Sequence, residues 1–136
     1  MGTTKYIPAL RFKWLTPLYD FFLGITMPEE KIKRHLIEVA SINAESTILD
    51  FGCGTGTLTI MVKETAPGAN VTGIDIDAEI LKKAIDKASE KETDVLLLNY
   101  DGTKLPFQNY SFNRVISCLV FHHLDTDTKQ RMLTEI

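Results

Sequence analysis

Two aspartates and three alternating glycines are the residues of this chain best placed to do chemistry. Asp50 stands just ahead of Gly52-Cys53-Gly54-Thr55-Gly56, and Asp75 closes the stretch Asn70-Val71-Thr72-Gly73-Ile74. An apolar, β-rich run broken by glycines at every second position makes the backbone turn sharply at the end of a buried strand, with side chains removed so that a ligand can approach. An acid ending the next strand of a βαβ unit lies beside that loop, where its carboxylate can accept from both hydroxyls of a ribose. The pattern is that of a nucleoside site.

The glycine spacing narrows the choice of nucleoside. A dinucleotide fingerprint places its third glycine three residues after the second, with a helix N-terminus facing a pyrophosphate. Here that position is Thr57, and the third glycine arrives one residue early at Gly56. A nicotinamide oxidoreductase is disfavoured on this ground.

The run Leu49-Asp50-Phe51-Gly52-Cys53-Gly54-Thr55-Gly56, with an acid 19 residues beyond Gly56, resembles motif I of the class I S-adenosylmethionine-dependent methyltransferases. The resemblance covers residues 15 to 136 and is nearest the small-molecule type of ubiquinone and menaquinone biosynthesis. It implies S-adenosylmethionine as cofactor and methyl transfer to a small-molecule acceptor. The alternative is a cofactor-binding fragment or module without independent turnover. The resemblance further implies a D-x-x-x-L-P-F segment, matched by Asp101 to Phe107, in which the Asp101 acid accepts from the adenine amino group and the backbone beside it, at Gly102, reads a ring nitrogen. Taken alone, Asp101-Gly102 reads as an ordinary turn.

S-adenosylmethionine carries a sulfonium, an amino acid end, a ribose and an adenine, and no phosphate. Its carboxylate is expected at the N-terminus of the helix beginning near Gly56, where free N–H groups and the helix dipole favour an anion. Asp50 is expected either to oppose the ammonium or to accept from backbone N–H groups of the glycine loop, or both. Asp75 is assigned to the ribose, Ile76 to packing on the adenine, and Asp77 to capping the following helix. The candidate cofactor-binding set is therefore Asp50, Gly52, Gly54, Gly56, Asp75, Ile76, Asp101 and Gly102. His122-His123 follow the fourth strand, where a histidine could serve as a base. Methyl transfer from a sulfonium needs chiefly in-line positioning, and no catalytic residue is assigned.

The elements that must position these residues alternate between strand and helix, which argues an α/β fold, a doubly wound Rossmann-like parallel sheet. Thr26 and Glu29 have capping-box spacing ahead of a helix of about four turns carrying Ile32, Leu36, Val39 and Ala40. Thr57 to Thr65 reads as a second helix, ending before Pro67-Gly68. Asp77 opens a third, with Ile80, Leu81, Ala84, Ile85 and Ala88 on one face. Val95 to Leu98 should be a third strand buried on both faces, and Arg114 to Phe121 the fourth. The expected strand order is 3-2-1-4, with the ligand crevice at the switch point between strands one and four. Relatives carry further strands beyond the fourth, so the chain is expected to lack the C-terminal strands of the full fold. A fourth strand so apolar, left at an edge, would recruit a second copy through itself or its flanking helix.

The division expected is an aromatic arm or lid over residues 1–25, holding six of the twelve aromatics, and a cofactor-binding domain over 26–136. Within the family, N-terminal residues including a Tyr-Asp pair like Tyr19-Asp20 often cover the cofactor.

The 136 residues, 44% hydrophobic and 24% charged, suit one globular domain. With 15 Lys and Arg against 18 Asp and Glu, the formal charge is −3, and no basic field favours nucleic acid. Cys53 and Cys118 sit in glycine-rich or apolar segments, which reads as reduced thiols in a cytoplasmic protein, and no metal-ligand spacing involves them. No apolar run reaches the length of a membrane span, and no secretory leader follows Met1.

Overall fold

The computed structural model describes residues 29–118, 120 and 124–136. The arm over 1–25, the Thr26 cap and His122-His123 lie outside the described residues. In chain order the elements are α1 (Glu29–Val39), β1 (Thr47–Phe51), α2 (Thr57–Thr65), β2 (Asn70–Asp75), α3 (Ala78–Glu90), β3 (Leu96–Asn99), β4 (Arg114–Ile116) and α4 (Thr126–Glu135).

The strands form one parallel sheet of order β3-β2-β1-β4. β1 is central, pairing Asp50 with Gly73 of β2 on one side and with Ile116 of β4 on the other. Alternation along the strands divides the core in two. Ile48, Val71 and Ile116 face α1 and α2, meeting Ile37, Leu58 and Val62. Leu49, Phe51 and Ile74 face the opposite way, onto Leu105 and Met132 of α4. Burying each such side chain contributes about 1.5 to 3 kcal/mol. The crossover helix α3 packs on β2 and β3.

Capping residues set the helix starts. Asp77 accepts from the N–H groups of Glu79 and Ile80, and Asp125 from that of Thr128. Helix α2 begins instead at Gly56, which has φ 72° and no side-chain cap. The expected bounds of α2 hold, and α3 buries Leu81, Ala84 and Ala88 as read, but Ile85 is exposed.

Three other expectations require correction. β3 is half exposed and not buried on both faces, with Leu96 53% accessible, because the strand order makes it an edge covered by α3. β4 ends at Ile116, since its partner β1 ends at Phe51 where the glycine loop departs. Beyond that point Ser117 donates its hydroxyl to the Phe51 carbonyl at 2.9 Å instead of continuing the ladder. In α1 the buried positions are Lys33 and Ile37, while Val39 is exposed, so the helix is rolled relative to its apolar stripe. At the foot of β4, the Asn113 amide oxygen accepts from the Thr47 N–H at 3.1 Å. No described helix is long and apolar enough to cross a membrane.

Candidate functional site

A cavity of about 300 Å³ opens at the carboxyl ends of β1 and β2, within the size range of small-molecule sites. Its walls include Asp50, Gly52, Gly54, Asp75 and Ile76 from the residues singled out in the sequence. Gly56, Asp101 and Gly102 are not among its lining residues.

The loop over Gly52 to Gly56 takes its shape from positive φ at each of its three glycines, a region costly for residues with a Cβ. The N–H groups of Gly52 and Cys53 both donate to the Ile74 carbonyl at 2.9 Å, which binds the loop to the end of β2. A Cβ on Gly52 would lie 2.5 Å from a methyl of Val120, another cavity residue. A Cβ on Gly54 would meet nothing within 4 Å, so the cradle at this point is open. Gly56 serves packing, since a Cβ there would lie 2.9 Å from that of Ala84 in α3.

Asp75 holds the loop. One carboxylate oxygen accepts from the Gly54 N–H at 2.8 Å and the other from the Asp77 N–H at 2.9 Å. Asp50 does not take up loop N–H groups in this way. It is buried beneath the cavity and accepts from the Thr59 hydroxyl at 2.6 Å. Burial raises the Asp50 carboxyl to about 6, offset in part by Thr59 and by the Lys33 charge, with Asp75 adding to the rise. Ionising Asp50 is therefore costly in the protein alone, and a cation in the cavity would favour it.

Asp101 is fully exposed, and its carboxylate accepts from the N–H and hydroxyl of Thr103 at 2.9 and 2.6 Å. Those bonds lower its acid below the ordinary range. Gly102 lies behind Ile76, whose methyl is 3.4 Å from where a Gly102 Cβ would stand. The segment over Asp101 and Gly102 thus borders the cavity through Ile76.

Several wall residues escaped the sequence reading. Lys33 and Glu29 reach the cavity from α1 and form an ion pair one turn apart. They resemble an ordinary solvated pair in sequence, and only the roll of α1 turns them inward. Tyr100 directly precedes Asp101, and its ring stands 6.2 Å from that of Phe51. Burial first, then Asp75, raises its phenol to about 12. Burial likewise raises the thiols of Cys53 and Cys118, which keeps both protonated and poor nucleophiles at neutral pH.

Residues 48–136 match the family model described as a methyltransferase domain. The chain belongs to this methyltransferase domain family. Among similar proteins is the demethylmenaquinone methyltransferase of Thermus thermophilus, 32% identical over 114 residues that make up 82% of this chain and 52% of that protein. The ubiquinone/menaquinone biosynthesis C-methyltransferase UbiE of Bdellovibrio bacteriovorus is 35% identical over 81 residues, 60% of this chain and 34% of that protein. The chain thus spans about half, or less, of the length of these methyltransferases. Magnesium protoporphyrin IX methyltransferase from Synechocystis PCC 6803, solved with bound SAM, superposes with a TM-score of 0.67 over 86% of this chain and 55% of that one. At 22% identity, that likeness establishes a shared methyltransferase fold.

Proposed function

We propose that the cavity binds S-adenosylmethionine and serves transfer of its methyl group to a small-molecule acceptor. One observation carries this reading: two strand-end carboxylates, Asp50 and Asp75, flank an open glycine cradle in a cavity that has four acidic residues and one lysine among its described walls. Such a field suits a cationic nucleoside and repels a pyrophosphate. The donor set fits the cofactor on the same ground.

In this reading Asp75 keeps lone pairs for ribose hydroxyls beyond its two backbone bonds. Asp50 opposes the ammonium, Gly52 and Gly54 leave room along the loop, and Ile76 packs against the base. Asp101 and Gly102 meet the adenine edge beside Ile76, and Gly56 acts indirectly by seating α2 against α3. When bound, S-adenosylmethionine supplies an electrophilic methyl group on a sulfonium. The chain's own contribution is to hold the nucleoside, match its charge and shape the space in front of it. The relatives named for quinone biosynthesis make a quinol the first acceptor to try.

The test is methyl transfer from labelled S-adenosylmethionine to a panel of quinols and small acids, alongside direct binding. Turnover supports the full activity. Binding without turnover supports the reading of a cofactor-binding fragment. We also propose a second copy as partner for the β4 edge. Its support is the position of β4 at the sheet margin, the exposed Leu133 on α4 and the exposed Ile136 just after it.

A further inference from the structure

An α-amino acid carries opposite charges on two groups attached to one carbon, so a site that recognises both needs an acid and a base side by side. The described cavity walls offer a single cation, Lys33, among Glu29, Asp50, Asp75 and Asp77. The Lys33 side chain is only 11% exposed, and its charge acts directly on buried Asp50. Lysine is rarely buried to this degree without a demand on its charge. Its ion-pair partner Glu29, one turn earlier, remains 47% exposed and so holds it in a half-solvated pair, an arrangement that contributes little to stability.

The start of α2, the expected anion site, is engaged in part. Gly56 does not line the cavity, and its N–H donates to the Cys53 carbonyl at 2.9 Å. The Thr59 backbone and hydroxyl serve Asp50. On the outer side, Lys87 donates to the Thr57 hydroxyl at 2.9 Å. Lys33 is the one positively charged side chain that the described cavity walls offer a carboxylate.

We propose that Lys33 binds the carboxylate of the ligand's amino acid end while Asp50 takes the ammonium beside it, so that α1 reads the part of the ligand that distinguishes an amino acid nucleoside from a simple one. This rests on the S-adenosylmethionine reading of the cavity. Glu29 neutralises Lys33 until the ligand carboxylate replaces it.

The test compares S-adenosylmethionine with decarboxylated S-adenosylmethionine, which keeps the ammonium and sulfonium and lacks only the carboxylate, by titration calorimetry on the full chain. Wild type is expected to prefer the intact compound by roughly 10- to 100-fold, the worth of a charge-assisted hydrogen bond. Lys33→Met should erase that preference while binding the decarboxylated compound no more weakly than wild type does. Glu29→Gln, which breaks the same ion pair but spares the lysine, should bind intact S-adenosylmethionine at least as well as wild type. A preference that survives in Lys33→Met overturns the proposal. So does an equal loss of both ligands in Lys33→Met, or a matching loss in Glu29→Gln, because either would mean that the pair merely anchors α1. If wild type binds neither compound, the cofactor reading fails, and this inference fails with it.

Discussion

The Asp75 carboxylate accepts the Gly54 N–H at 2.8 Å, linking the end of β2 to the centre of the glycine loop 21 residues earlier. The acid proposed to hold the ribose therefore also sets the shape of the cradle. Asp75→Ala should weaken S-adenosylhomocysteine binding by about 2 to 4 kcal/mol, more than tenfold, through lost charge-assisted bonds. It should also speed hydrogen exchange at the Gly54 amide. Asp101→Ala, at an exposed position outside the cavity wall, should cost about 0.5 to 1.5 kcal/mol of binding. Equal losses for the two variants, measured by calorimetry, would reject this ranking.

Two of the loop glycines, Gly54 and Gly56, should separate binding from stability. Gly54→Ala meets open space and carries only the strain of φ 55°, about 1 to 2 kcal/mol, yet it narrows the cradle and should reduce affinity about tenfold or more. Gly56→Ala drives a methyl into Ala84 and should destabilise the fold by about 2 to 4 kcal/mol through strain and overpacking. Urea unfolding paired with ligand titration would distinguish them.

Asp50 makes stability depend on pH with a definite sign. Its carboxyl is raised from 3.8 to about 6 in the folded chain, so folding binds its proton more tightly than the unfolded state does. The stability this provides is complete below the unfolded value near 3.8 and is lost as pH rises through about 6. Asp50→Asn should therefore be more stable than wild type at pH 7 by on the order of 2 to 3 kcal/mol, with the gap closing toward pH 4. The same variant should lose cofactor affinity. Melting temperatures across this range, with and without ligand, would show whether binding and stability conflict at Asp50.

If the β4 edge recruits a second copy, static light scattering on the purified chain should give a mass above the 15.3 kDa of one chain. A clean monomer at high concentration would contradict the edge argument.

Much of this molecule was legible in its sequence because local rules and the fold agree along β1, the glycine loop, α2 and β2. The bounds of α2 and the Asp77 cap followed from turn residues and capping chemistry, and the strand order 3-2-1-4 from the doubly wound topology that the family resemblance implied. What escaped depends on how elements are turned against each other. Lys33 has the sequence of a surface lysine and becomes a cavity residue only because α1 buries it together with Ile37. Leu96 reads as core and is half exposed because β3 falls at an edge. Gly56 reads as part of the ligand loop, and its distance from Ala84 shows that it seats one helix on another. In sequence Asp50 is the acid expected to hold the glycine loop, and the structure gives that task to Asp75.

The central claim is that this cavity selects a cationic amino acid nucleoside over an anionic dinucleotide. Titration calorimetry of the full chain against S-adenosylmethionine, S-adenosylhomocysteine and NAD tests it most directly. The account predicts saturable binding of the first two at one site per chain, lost in Asp75→Ala, and no heat from NAD under the same conditions. Binding of NAD at equal or higher affinity, or no binding of either adenosyl compound by a folded chain, would contradict it.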